Sequence, residues 1–397
     1  MNVADIHGKK PLAVKSSVAD SPHLTIETNL TCNIKCRSCY NINNSFVKEF
    51  DRIIQEIDTG INKRNLQAIT IIGGEPTLHP RLPDIIRYIK SKGITCQLLT
   101  NGKRFLDDPE DVFLDSLIEA GLDKILLHVD EGQREIHSDL DRVTRSLFNK
   151  FEERKVYYSL SNTIFFDTQG LLSGKIRKYA SYKYFDGILA LLSRDCNESI
   201  KKKSSQKDWS QLKIEYQELG KDLMIDPVGY IPTSLSDDDI SWLFFFYYIN
   251  ANTGETFSRS PQLLSLFSKI YYFFKKKNAF ALNFNPWQFY LVFIFSSLIE
   301  VLIQPARVKR LFRLLKRSGF LRALRIHTIV IQNPPQYNDQ REQIQFCYHC
   351  PDATIRNGKL TPLCLADMIN PLAGVHENID VPEDLYNLVY EHMNELN

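Results

Sequence analysis

Leu24-Thr25-Ile26-Glu27-Thr28-Asn29-Leu30 runs directly into Cys32-Asn33-Ile34-Lys35-Cys36-Arg37-Ser38-Cys39-Tyr40. The first stretch alternates apolar and polar side chains with the period of a strand, and it delivers three thiols to one short loop. Thiolates spaced C-x3-C-x2-C can converge on three corners of an iron–sulfur cube and leave one iron without a protein ligand. The competing chemistry is a closed zinc site. That needs four ligands and usually answers a C-x2-4-C pair with a second pair, and no fourth ligand follows nearby.

Working outward, Phe46, Phe50, Ile53, Ile54 and Ile57 recur at helical spacing, so a helix follows the loop. The alternation then repeats, with strands expected over 68–72, 94–100, 124–130, 156–166 and 184–192. Helices are expected between them over 82–92, 112–120, 140–153 and 171–180. Strands alternating with helices make βα units with parallel strands, wound as an open sheet or a barrel. The second strand stops at Gly73-Gly74-Glu75-Pro76, where paired glycines let backbone approach a ligand closely.

The three cysteines with Tyr40 behind them, together with Gly73-Gly74-Glu75-Pro76, resemble the radical S-adenosylmethionine (radical SAM) superfamily over roughly residues 22–195. The resemblance implies an α/β fold, a partial (β/α)6 TIM-like barrel. It implies a [4Fe-4S] cluster on Cys32, Cys36 and Cys39, with SAM chelated to the free iron. Reductive cleavage of SAM would give a 5′-deoxyadenosyl radical that takes hydrogen from an unactivated carbon, fed by an electron donor such as flavodoxin or ferredoxin. Tyr40, Gly73, Gly74 and Glu75 then belong to the cofactor site, Glu75 being suited to accept from SAM's ammonium. Asp130 matches the acid of a Ser-x-Asp that faces the ribose or carboxylate, although His128 stands in the serine's place; a helix-entry cap is its other reading. Arg142 matches an arginine that holds the carboxylate, with Val143 where the family has glycine. Asn162 and Thr163 offer polar groups toward SAM, and Gly187 leaves room beneath the adenine, with barrel filling as the alternative for all three. Thr100-Asn101-Gly102 reads mainly as a tight turn, and His23, His79 and His137 as surface or capping groups.

The remainder of the 397 residues extends this unit. A formal net charge of +2 argues against a nucleic-acid partner from bulk charge. Six of eight cysteines fall in two clusters, which suits metal ligation in a reducing compartment rather than a disulfide scaffold. Residues 1–21 read as a loose polar tail without a signal-peptide core, so the expected location is cytoplasmic, with a peripheral place on the inner face of the membrane as an option. Residues 22–195 form the barrel, 196–325 a linker and a hydrophobic, basic, mostly helical insertion, and 326–397 a cysteine-rich region. The aromatic run 242–249 is too short to span a bilayer, and 287–303 is interrupted by Ser296, Ser297 and Glu300. The basic stretch 307–317, with Arg322 and Arg325, is a solvated face, a membrane-surface or lipid-handling helix, or a groove for a partner. Cys347, Cys350 and Cys364 resemble an auxiliary-cluster extension, hence a second Fe-S cluster; zinc completed by His349, His376 or Cys196 is the alternative. Cys196 is otherwise inert and Cys96 is core packing. The leading substrate is an apolar molecule, lipid included, with a peptide or natural-product precursor second. A non-catalytic iron–sulfur or zinc protein that senses redox state or binds a partner is the rival of another class.

Overall fold

The computed structural model describes residues 1–6, 10–15, 17–37, 39, 41, 45–193, 210–275, 294–300, 305–317, 319, 323–338 and 342–366. A short strand β1 (Leu12–Ala13) precedes the first unit, β2 (His23–Glu27) and α1 (Phe50–Lys63). Then follow β3 (Ala68–Ile72), α2 (Leu82–Ser91), β4 (Thr95–Thr100), α3 (Lys103–Leu106), α4 (Val112–Glu119), β5 (Lys124–His128) and α5 (Leu140–Glu153). β6 (Tyr157–Ile164), α6 (Leu172–Tyr179) and β7 (Phe185–Leu192) complete the six expected strands. From β2 to β7 each strand pairs in parallel with the next. The central strands are apolar on both faces because helices cover one side and the interior the other. Each helix buries a 3.6-period stripe, such as Ile85, Ile86 and Ile89 on α2.

The sheet does not stop at β7. Past α7 (Ser210–Leu223) the chain forms β8 (Gly229–Pro232), β9 (Ile240–Asn250) and β10 (Thr256–Ser258), then α8 (Pro261–Lys275), α9 (Pro305–Arg317) and β11 (Leu324–Gln332). β11 pairs in parallel with β7 and antiparallel with β9, giving the order β1-β8-β9-β11-β7-β6-β5-β4-β3-β2, with β10 on β9. The aromatic run expected within a mostly helical insertion is therefore an eleven-residue strand. Its rings are buried, or half-buried at Phe244 and Phe246, on both faces, which is what a continuous run of aromatic and β-branched residues favours in an inner strand. Gly187 has a related correction. It stands at φ +141°, and a Cβ there would lie 1.8 Å from the Thr328 carbonyl oxygen, so it makes room for β11 rather than for a flat ring.

Residues 1–21 are not a loose tail where they are described: Met1, Val3 and Ile6 are buried, and β1 pairs with β8. At the other end, β12 (Gln336–Asn338) pairs with β13 (Gln343–Gln345), and β14 (Ala353–Arg356) with β15 (Lys359–Pro362). The second hairpin lies against β2, where the Arg356 guanidinium grips the Glu27 carboxylate at 2.7 and 2.9 Å with both groups buried. Among the described residues no helix is long and apolar enough to cross a membrane.

Candidate active site at the carboxyl edge of the sheet

The strand ends of β2 to β6 gather at one edge, and the hydrogen bonds between their loops define the site. Thr28 and Asn29 continue β2, and the Asn29 amide donates to the carbonyls of Thr31 (2.7 Å) and Glu75 (3.0 Å). Gly74 N–H and Glu75 N–H return bonds to Asn29 O and Thr31 O. A Cβ on Gly74 would meet the carbonyl oxygens of Leu30 and Thr31 at 2.4 Å. The double glycine is thus required by the close passage of the backbone that enters the thiol loop.

Glu75 is buried, and its carboxylate is a hub. One oxygen accepts from Thr77 N–H, Thr77 O–H and Thr100 O–H (3.1, 2.7 and 2.7 Å), the other from Asn101 N–H (2.8 Å). Burial pushes its acidity toward a higher pKa, opposed by those donors. The expected acceptor for an ammonium is therefore already engaged, and the half-buried parts of the motif are Gly73 and Gly74. Through Glu75 the turn at Thr100-Asn101-Gly102 gains a second function, because the Asn101 amide reaches Cys32 Sγ (3.8 Å) and Asn33 Oδ1 (2.8 Å). Glu75→Gln is expected to cost ~1–3 kcal/mol, because an amide N–H₂ then faces O–H and N–H donors in a buried site. Urea unfolding should show that loss, and SAM binding by the loaded protein should weaken with it.

Cys32 and Cys36 are half-buried and Cys39 is exposed, all three as free thiols. Burial pushes Cys36 up to about 12, with the charges of Cys39, Asp130 and Cys32 adding to it and a hydrogen bond from Gln133 opposing it. Burial likewise raises Cys32. Left alone these thiols stay protonated, so only a cationic partner turns them into thiolates. Among the described residues no three Cys, His, Asp or Glu side chains close on a single ion. A cube spreads its ligands over separate irons, and three sulfurs on one loop, with the charge of Cys39 acting on both Cys32 and Cys36, fit that donor set. Tyr40 lies outside the described residues.

The far side of the loop docks on the β5 and β6 ends. Arg37 N–H bonds Gly132 O (2.9 Å), and its guanidinium pairs with Asp167 and lies over the Phe165 ring. Asp130 is buried and works internally: one oxygen accepts from Gly132 N–H (2.8 Å), the other from Thr163 N–H (2.6 Å), and it caps the turn Glu131–Gln133. Arg142 is exposed on the first turn of α5, where Asp139 caps its backbone N–H. Asn162 donates to Thr163 O and accepts from Lys175.

Two residues were not foreseen. Gln133 is fully buried, donates to His128 O (2.7 Å), contacts Cys36, and leaves its side-chain oxygen without a hydrogen-bond partner. Lys175 on α6 lies between Asn162 and Glu131, its ammonium disfavoured by burial and supported by Glu131 and Asp130. Neither belongs to a spacing pattern, since Lys175 arrives from a helix and Gln133 from a short turn whose placement only the tertiary fold sets. Two of the histidines are structural: His79 hydrogen-bonds with Lys48 O, and His23, expected at the surface or as a cap, is buried between Thr70 and Asp352.

The second cysteine group sits elsewhere. Cys347 and Cys350 are buried beside Ile231 and Trp242, and Cys364 is exposed. The Cys350 thiol donates to Cys347, which eases ionisation of Cys347 and hinders that of Cys350. Arg64 donates to Cys350 O (2.9 Å), Pro351 O and His23 O, so the pair adjoins the amino end of β2. Cys32 follows the opposite end. The length of a five-residue strand, ~16 Å, lies between the two groups. Cys196 and His376 lie outside the described residues.

A family model described as the Radical SAM superfamily matches residues 26–155. The chain is 29% identical over 112 residues to the tungsten-containing aldehyde ferredoxin oxidoreductase cofactor-modifying protein of Pyrococcus furiosus, covering 27% of this chain and 30% of that protein. It is 30% identical over 132 residues to GTP 3',8-cyclase of Chlorobaculum tepidum, covering 31% of this chain and 37% of that one. The matched stretches span about a third of those relatives' length. Among solved structures, Streptococcus suis SuiB aligns at 15% identity with a TM-score of 0.36, over 44% of this chain and 40% of that chain.

Proposed function

We propose that this chain, which the Radical SAM superfamily model matches over residues 26–155, is a member of that superfamily, an enzyme that opens SAM reductively and abstracts hydrogen from a polar peptide or natural-product precursor. Membership brings a [4Fe-4S] cluster and SAM. Cys32, Cys36 and Cys39 would hold the cluster, whose contribution when bound is one-electron cleavage of SAM and a radical able to take hydrogen from carbon. Asn101 fixes the Cys32 sulfur, and Gln133 fixes Cys36. The backbone at Gly73 and Gly74 is the part of that motif left to receive SAM's amino group, since the Glu75 carboxylate is engaged. Asp130 orders the β5 and β6 ends from beneath, and Arg142 is a candidate carboxylate clamp from α5. An electron carrier such as flavodoxin or ferredoxin would reach the exposed Cys39 side.

The observation that carries the polar substrate is the lining beside the thiols: Lys175, Asn162, Glu131, His128 and Arg37 line the β5 and β6 ends. An ammonium in a half-buried site binds a carboxylate or phosphate more strongly than one in water. The apolar-substrate reading rested on the 242–249 aromatics and the basic helix; the aromatics are core of β9, and the basic helix α9 packs on Tyr248, Phe257 and Leu324. The second cysteine group, whether it takes an iron–sulfur cluster or zinc, lies too far along β2 to touch a substrate at the thiol loop, and we read it as structural.

Anaerobic reconstitution, iron and sulfide counting and a search for 5′-deoxyadenosine test the proposal. Turnover with polar peptides or phosphorylated precursors, and a Lys175→Met variant with KM raised at least ~10-fold but its cluster absorbance kept, are the expected results. Turnover with lipids alone would sink the polar reading. Intact SAM with a loaded cluster and dithionite would favour the non-catalytic rival.

A further inference from the structure

We propose that the helical lobe built from α8, residues 294–300 and α9 is a docking surface for an anionic membrane. It serves as an anchor, separate from the substrate site. The first observation is composition. Between residues 261 and 338 the sequence carries twelve Lys and Arg and one acidic residue, Glu300, although the whole chain has a net charge of only +2. Glu300 does not offset this at the surface, because it is buried and accepts from Ser260. The remainder of the sequence is therefore net acidic, and the stretch 261–338 is its cationic part.

The second observation is where the side chains stand. On α8, Leu266, Ile270, Phe273 and Phe274 share one face at i, i+4, i+7 and i+8, with Phe273 67% and Phe274 74% exposed. Ile294, Phe295 and Leu298 are exposed on the neighbouring helical residues. On α9, Leu311 and Leu314 pack against Tyr248, Phe257 and Leu324. That orientation turns Lys309, Phe312, Arg313 and Lys316 to solvent as a single stripe of three cations and an aromatic ring.

The segments are tied to one support. Ser260 at the head of α8 bonds Glu300, Arg259 bonds Ser297 and lies over Tyr248, and α9 packs on that same tyrosine. Large apolar side chains interleaved with Lys and Arg on surface helices are the composition that settles into a headgroup layer, apolar groups down and cations against anionic lipid. A soluble partner's groove would not call for a cationic excess carried on both α8 and α9, with none of it on the apolar residues 294–300 between them. Position sets the anchor apart from catalysis: Tyr271 and Tyr272 of α8 contact Gln67 and Asp20, which precede strands β3 and β2, so α8 reaches the sheet edge opposite the thiols.

The test is co-sedimentation of the full, cluster-loaded chain with vesicles of phosphatidylcholine alone and vesicles in which phosphatidylglycerol replaces part of it. Pelleting only with the anionic vesicles, reversed by salt, is expected. The Lys309→Glu/Arg313→Glu/Lys316→Glu variant should lower the partition coefficient by ~100-fold. Phe273→Ser/Phe274→Ser should weaken binding to the same vesicles while the mass in solution stays that of the parent. All five positions are exposed, and matching melting curves confirm that the variants fold. No pelleting, equal pelleting with neutral vesicles, or a parent dimer that the phenylalanine changes split would overturn the proposal; the last assigns the face to a second copy. Salt-sensitive binding of RNA with no vesicle binding would overturn it too. None of these readouts depends on SAM turnover, so failure here leaves the proposed chemistry standing.

Discussion

Cys36→Ala, reconstituted anaerobically, is expected to lose the visible thiolate-to-iron absorbance of one cluster, its iron and sulfide, and SAM cleavage to below detection. The cause lies in the donor count. Three sulfurs on one loop are the whole protein ligand set that the sequence provides for the cube, and two cannot hold it against exchange with solvent. Folding should survive, because Cys36 lies on a half-exposed loop whose backbone is held by the Arg37 N–H to Gly132 O bond, which the substitution leaves in place. Cys96→Ala is the control, since that thiol is buried in β4, and it should leave the spectrum unchanged. If iron persists in Cys36→Ala and disappears only when Cys347 and Cys350 are also replaced, the second group holds a metal of its own. Full SAM cleavage by Cys36→Ala would remove the assignment of the loop.

The parts of this architecture legible in the sequence are those governed by local periodicity. Strands β2 to β7 and their helices followed from alternation and the 3.6 period, and α5 lies at the expected residues 140–153. The pairing of Gly73-Gly74 with the thiol loop was legible as a motif but not in its cause. Glycine there answers the carbonyls of Leu30 and Thr31, contacts made across forty residues of chain. β9 was not legible, because an unbroken apolar run has no period that separates a doubly buried strand from a buried helix. Its environment is set by β11, eighty residues later. Lys175 and Gln133 escaped for the same reason: each becomes a site residue only through the placement of a helix or turn against β5 and β6.

Arg356→Met is expected to be the most destabilising single substitution outside the thiol loop, by ~3–5 kcal/mol in urea unfolding. Arg356 and Glu27 are both fully buried and joined by two parallel hydrogen bonds, so removing the guanidinium leaves a carboxylate in a low-dielectric site. Lys48 limits the loss without cancelling it. Its buried ammonium is held below the ordinary lysine range by burial and is committed to Glu56 at 2.6 Å. The damage should spread toward function, because Glu27 is followed by Thr28, whose hydroxyl bonds the Asn29 side chain, and by Asn29, whose amide ties the start of the thiol loop at Thr31 to Glu75. Cluster retention at raised temperature should therefore fall with stability. Glu27→Gln/Arg356→Met should recover part of the loss, since it deletes the orphaned charge along with its partner. An Arg356→Met curve within ~0.5 kcal/mol of the parent would mean that the hairpin's hold on β2 rests on backbone contacts and apolar packing instead of this ion pair.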